Sequence, residues 1–591
     1  MKSFVKMTLA TVTGLLIFGI VAFFLFFGMI GAVAALGDTQ PVMPEQAVLK
    51  IDMSTMALAE QTTEADPLTM LQNAETISPV GIYSAVSAIK AAAQDPAVKF
   101  IYMKPDGVTG GFAQIEEFRK ALADFRNSGK AIVSYIENPS NGSYYLASVS
   151  DKVYMTCHDG GMNMFTGISS QMIFLKDILD RLGVNVQLIR HGKYKSAGEM
   201  FVRNSSSKEN MEQNKAMITS IWENWAKEIA SSRGITVDNL NAMLDNLELN
   251  FPTDFLDKGL VDELLTREEL EGKLCDLFVA EKPEDIQTIS LQDYASLQTS
   301  FSLNSKGKIA VIYANGDIMD GDDKNVVAGD RYAKIISDVR KDSTIKAVVL
   351  RVNSPGGSVL ASEKIKTEIG LLQQRVPVVA SYGDYAASGG YWISSGCDKI
   401  FSDATTLTGS IGVFSMIPDL SKTLSDKVHV NITPVNSNRH ADMYNCLRPL
   451  DPKEVAYMQA NVEKIYGRFT EIVAEGRDMT VPQVDNIAQG RVWTGAEALE
   501  IGLVDQIGTL EDAITWAALS IEGVSDVSEV NIAEYPKPLT GIELLLESLG
   551  MGEASVFAGT PFESIVNAFG DINAADYGKV FARMPYEITL R

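Results

Sequence analysis

Apolar positions between residues 45 and 136 follow two alternating patterns. AVLKID from Ala47, VKFIYMK from Val98 and KAIVSYI from Lys130 are short runs rich in Val, Ile and Tyr. Between them, residues 82–94 and 113–127 place apolar side chains three and four apart. The first pattern predicts strands and the second helices. Strands alternating with helices of this length predict an α/β domain with largely parallel pairing, because parallel neighbours need a crossover between them.

The same order returns later. DPAVKFIYMK at Asp95 matches DSTIKAVVLR at Asp342, and SYYLASVSDKVYMT at Ser143 matches GYWISSGCDKIFSD at Gly390, both at an offset of 247 residues. FTGIS at Phe165 echoes LTGSI at Leu407, VNV at Val184 echoes VNI at Val430, and GLVDEL at Gly259 echoes GLVDQI at Gly502. Chance produces one such match but not five in the same order, so two copies of one fold are expected. Their bounds are residues 45–285 and 305–525. The Ser-, Gln- and Thr-rich residues 287–306 read as the connector. Residues 526–591 form a C-terminal extension, in which TGIELLLESLG and PFESIVNAF read as amphipathic helices.

Residues 7–37 carry no charge and are long enough to span a bilayer as a helix. Lys2 and Lys6 precede the run and Asp38 follows it, which leaves the rest of the chain outside the cytoplasm. A cleaved signal peptide ending near Ala32-Val33-Ala34 is the rival, but the run is longer than an ordinary signal core. An uncleaved N-terminal anchor over residues 1–37 is the expectation.

Composition narrows the function classes. The 591 residues are 46% hydrophobic, enough for several cores, and the formal charge of −24 disfavours a nucleic-acid partner. Four cysteines and four histidines lie scattered, with no CxxC and no metal-ligand spacing beyond the adjacent Cys157-His158. There is no Walker A pattern, and no cofactor is expected.

The candidate chemistry lies in residues 351–397. Gly356-Gly357 and Gly389-Gly390 each follow an apolar β-branched run and precede a helical pattern. Such turns bring backbone N–H groups close to a bound group, so together they suit a developing oxyanion. Ser388 stands just before the second pair, where a nucleophile would sit; a helix N-cap is the plain alternative. The position matching Ser388 in the first copy is Asn141, and the first copy has PDGVTGG where the second has its Ser-Pro-Gly-Gly. Conversely, RHGKYKSAGEMF of the first copy holds Lys193 and Lys195, and the partner of Lys195 is Ala441. A serine in one copy and a candidate base in the other suggest one site built across both.

A serine hydroxyl needs a base. His191 and His440 are the nearest candidates in pattern. A lysine serves if burial keeps its amine neutral, and the setting of Lys195 between Tyr194 and Ser196-Ala197 permits that; an exposed lysine is the ordinary outcome.

NSPGGSV at Asn353, GDYAASGGYW at Gly383, LTGSIGVF at Leu407, KYKSAGE at Lys193 and GRVWTGAEALEIGLVD at Gly490 closely resemble the signal peptide peptidase A family, in its long, duplicated type. NSPGG alone would also suit the Clp protease proteolytic subunit and the crotonase-like fold. The resemblance implies two tandem crotonase- and Clp-protease-like α/β repeats after an N-terminal transmembrane helix. It implies a Ser/Lys dyad, with Ser388 as nucleophile and Lys195 as general base. Gly389 and one of Gly356 and Gly357 would supply oxyanion N–H groups, and Ser410 would orient the lysine. It also implies a bowl-shaped homotetramer on the periplasmic side of the inner membrane that degrades remnant signal peptides. An extra cation at Lys193 either depresses the Lys195 pKa further or points to solvent. The rivals are a membrane scaffold that binds peptides without cleaving them, and an acyl-CoA enzyme of the crotonase type. Intact Ser388 and Lys195 oppose the first; an external location opposes the second, since CoA is cytoplasmic.

Overall fold

The computed structural model describes residues 41–63, 77–298, 304–538 and 580–584, with scattered positions between 6 and 21. The expected membrane span over residues 7–37 lies largely outside the described residues, and the expected amphipathic helices at 540–550 and 561–569 lie wholly outside them. Among the described residues, no helix is long and apolar enough to cross a membrane.

Alternating strands and helices build two similar parallel sheets. The first runs Glu263–Leu265, Lys152–Thr156, Ile132–Ile136, Val98–Lys104, Ala47–Asp52, Thr288–Ser290. The second holds the series Gln506–Ile507, Lys399–Ser402, Val378–Ala387, Ile345–Ser354, Lys308–Asn315, Asn531–Tyr535, and adds Leu407–Gly409, parallel to the end of Val378–Ala387, with Val492–Thr494 antiparallel beyond it. All neighbours in both series are parallel. Position by position the two orders coincide, which gives the internal repeat its structural form. Both edge strands next to the first strand of each copy come from segments that read as connector or extension: Thr288–Ser290 and Asn531–Tyr535. Three and five residues long, they carry no sustained apolar alternation, so only the pairing they complete reveals them.

The second sheet is buried on both faces. Ala310, Ile312, Val348, Leu350 and Val378 pack with the helices of their own repeat, whereas Val311, Val349 and Val379 belong to the core of the first. Successive side chains of a strand point to opposite faces, so one run of valines serves two cores. The helix Phe112–Arg126 of the first copy lies against this face. Each such valine contributes about 1.5–3 kcal/mol when buried.

Charge reinforces the junction. Arg351, fully buried, holds Glu60 at 2.6 Å and Glu117 at 2.8 Å, two carboxylates from the first copy. Its Nη1 donates to Ser381 Oγ at 2.9 Å and to the Tyr382 carbonyl at 2.8 Å. Beside it, Asp384 accepts from the Ala113 amide at 2.9 Å, and burial pushes its carboxyl up to about 7. Glu116 accepts from the Ala404 and Thr405 amides, and burial likewise raises it to about 7.

A third sheet joins the copies directly. Asn185–His191 of the first pairs antiparallel with Val413–Asp419 of the second over seven positions, from Val413 opposite His191 to Asp419 opposite Asn185. The first strand leads into the lysine loop and the second out of the Ser410 turn.

Candidate active site

Ser388 stands between the strand Val378–Ala387 and the helix Gly389–Ser394. Its backbone has φ 55° and ψ −110°, and its side chain makes no capping hydrogen bond. A positive φ is costly for a residue with a Cβ, on the order of 1–3 kcal/mol, and persists only where surrounding contacts fix it. Here the Ser388 amide donates to the Gly409 carbonyl at 2.8 Å, and its carbonyl accepts from Trp392 at 2.8 Å. The turn thus presents the hydroxyl inward instead of capping the helix. At the matching place in the first copy, Ser140 caps its helix, and Asn141 exchanges two 2.9 Å hydrogen bonds with the backbone of Gly167.

Lys195 comes from the loop after Asn185–His191. Its amide donates to Gly192 O and that of Tyr194 to Gln489 O, while Arg190 donates to the Lys195 carbonyl at 2.6 Å. Its Nζ lies 2.9 Å from Ser388 Oγ, 3.0 Å from Ser410 Oγ and 3.1 Å from the Ser410 carbonyl. Lys195, Ser388 and Ser410 are all fully buried. Desolvation lowers the Lys195 pKa well below the ordinary lysine value. Lys193 has no part in that shift: it is exposed, with its Nζ 5.0 Å from the Tyr194 ring centre. A neutral amine at this distance can accept the serine proton, whose other acceptor, the Gly412 carbonyl, is 3.5 Å away.

The two glycine pairs meet in front of this dyad. Gly356 has φ 103°, and a Cβ there would stand 2.6 Å from the Gly389 amide nitrogen. A Cβ on Gly389 would stand 3.0 Å from the Gly357 nitrogen. The Gly356 N–H is already given to Ser354 Oγ at 3.2 Å.

Neither histidine candidate joins the site. His191 stacks on Tyr466 at 3.9 Å between ring centres, and His440 Nδ1 lies 2.8 Å from Glu454. Glu454 is also held by Arg448 at 2.7 Å. Two positions with no role assigned in the sequence matter here. Gly490, at φ 78°, backs the lysine so closely that a Cβ would fall 2.6 Å from Lys195 Cβ. A Cβ on Gly412 would lie 3.2 Å from Lys195 Cδ. Gly490 opens the GRVWTG run, and glycine before an apolar strand was the available clue.

The model of peptidase family S49 matches the chain twice, at residues 124–277 and 370–523. "Protease 4" of Haemophilus influenzae is 36% identical over 76% of this chain and 75% of its own length. "Serine protease SPPA, chloroplastic" of Arabidopsis thaliana is 30% identical over 78% of this chain and 68% of its own. A "Putative signal peptide peptidase SppA" of Enterococcus faecium is 32% identical over 46% of this chain and 80% of its own. With both halves of the duplication matched, and relatives that share three quarters of its length, the chain belongs to peptidase family S49 and is a serine protease.

Proposed function

We propose that this protein is a membrane-anchored serine endopeptidase in which Ser388 is the nucleophile and Lys195 the general base. The observation that carries the reading is the 2.9 Å approach of Nζ to Oγ inside a fully buried pocket where desolvation lowers the amine pKa. Neutral Lys195 takes the Ser388 proton as Oγ attacks a peptide carbonyl carbon. The oxyanion forms against the N–H groups of Gly389 and Gly357, the latter favoured because the Gly356 N–H is given to Ser354. Each such donor is worth about 3–4 kcal/mol in comparable sites. Protonated Lys195, steadied by both oxygens of Ser410, then gives its proton to the leaving amine. Lys195 then takes a proton from water as it attacks the acyl-enzyme ester, and returns it to Ser388 Oγ as the C–Oγ bond breaks and the carboxylic acid leaves.

The substrates are apolar peptides, remnant signal peptides among them. The name of the Enterococcus relative and the uncharged run at residues 7–37 support this, because peptides that start in a bilayer reach an anchored enzyme first. The positive charges ahead of that run favour a periplasmic catalytic part on the inner membrane. A homotetramer rests on the family resemblance alone. Hydrolysis of an apolar fluorogenic peptide by the wild type, Ser388→Ala and Lys195→Ala tests the dyad. Both variants should lose activity while remaining folded; undiminished turnover in either removes the assignment.

A further inference from the structure

Residues 580–584 lie against the two glycine pairs that flank Ser388. Phe581–Arg583 pairs antiparallel with Gly356–Ser358, with Ala582 opposite Gly357. Phe581 also pairs with Phe414 of the strand Val413–Asp419, their rings 6.1 Å apart. The segment therefore fills the slot between the glycine strand and the strand leaving Ser410. Met584 N donates to the Pro355 carbonyl at 2.7 Å, and Arg583 pairs with Asp317 at 3.0 Å. Ala582 is wholly enclosed. Its carbonyl oxygen sits where both glycine pairs converge: a Cβ on Gly356 would collide with it, and one on Gly389 would come within 3.0 Å.

An enzyme that opens a peptide bond holds its substrate extended, by main-chain pairing, with one carbonyl at the oxyanion donors. The segment satisfies each of these conditions. We infer that residues 580–584 occupy the peptide groove as an intramolecular substrate mimic, with Ala582 in the place of the residue whose carbonyl is attacked. This rests on the dyad assigned above. External peptide enters only when the strand leaves, so the tail lowers apparent affinity in proportion to its occupancy. The enclosure of Ala582 makes a small side chain the fitting occupant at that position, and the Phe581–Phe414 contact favours an aromatic or apolar residue before it.

The test compares the full chain, a chain ending at residue 579, and Ala582→Trp, which evicts the strand by bulk without deleting it. The probe is a fluorogenic peptide carrying Phe-Ala, beside one carrying Phe-Trp. A groove nine-tenths occupied predicts a KM about tenfold lower in both variants at unchanged kcat. A synthetic peptide of residues 577–587 should inhibit the truncated chain competitively, and the Phe-Ala probe should be preferred. Unchanged KM in both variants, or lower kcat with higher KM in both, would make the strand structural and overturn the inference. If Ser388→Ala is inactive while KM stays constant across the other three proteins, only this inference fails. If Ser388→Ala still hydrolyses, the dyad itself falls.

Discussion

Lys195→Met should trade activity for stability, and its pH dependence tests the buried amine most directly. In the unfolded chain the lysine titrates near 10.4. In the fold, desolvation holds that value well below the ordinary one, so at any pH between the two values folding expels a proton. Each pH unit of lowering costs about 1.4 kcal/mol. The folded state binds fewer protons than the unfolded one, so stability rises with pH between the folded pKa and about 10.4. The penalty is complete below the folded pKa and gone above the unfolded one. Against it stand the three polar contacts of Nζ with Ser388 and Ser410, each worth about 1 kcal/mol net. Methionine keeps the length of the stem, forgoes those contacts and has no proton to lose. The variant therefore gains on the wild type once the shift exceeds about two units. Urea unfolding of both proteins at pH 7, 8 and 9 reads the difference, in which all other titrating groups cancel. The wild type should gain on Lys195→Met by about 1.4 kcal/mol per pH unit, while peptide hydrolysis by the variant is lost at every pH. Parallel stability curves would mean that Lys195 stays charged in the fold, and the base mechanism would go with them.

Three further outcomes follow from the geometry. Gly490→Ala places a methyl 2.6 Å from Lys195 Cβ on a backbone of φ 78°; displacing the lysine by about an ångström should cut kcat on the order of 100-fold, read by steady-state kinetics at unchanged protein fold. Ser410→Ala removes one oxygen 3.0 Å from Nζ but leaves the carbonyl, so kcat should fall roughly 3- to 10-fold with KM kept. Arg351→Met strands Glu60 and Glu117 in the junction between copies and should destabilise the protein by about 3–5 kcal/mol in denaturant titrations, with Glu60→Gln in the same chain restoring part of the loss.

Much of this protein is written locally. Periodicity placed the strands at Ala47, Val98 and Ile132 and the helix Phe112–Arg126, because a chain half buried in a sheet or helix must repeat its apolar residues every two or every 3.6 positions. The repeat showed in matched motifs, and its divergence showed a serine without a base in one copy and a lysine without a serine in the other. Only the tertiary structure decided that these two side chains, 193 residues apart, stand at 2.9 Å. That distance follows from seven paired positions between Asn185–His191 and Val413–Asp419, a register set by what both strands bury. Tertiary packing likewise decided the positive φ of Ser388, the absence of room beside Gly490, the edge strands Thr288–Ser290 and Asn531–Tyr535, and the buried Arg351 cluster. Arg351 is one more charged residue at the end of an apolar run until a second copy covers it. Short-range pattern specifies which elements form; which of their side chains meet depends on long-range burial, and no window along the chain contains both partners.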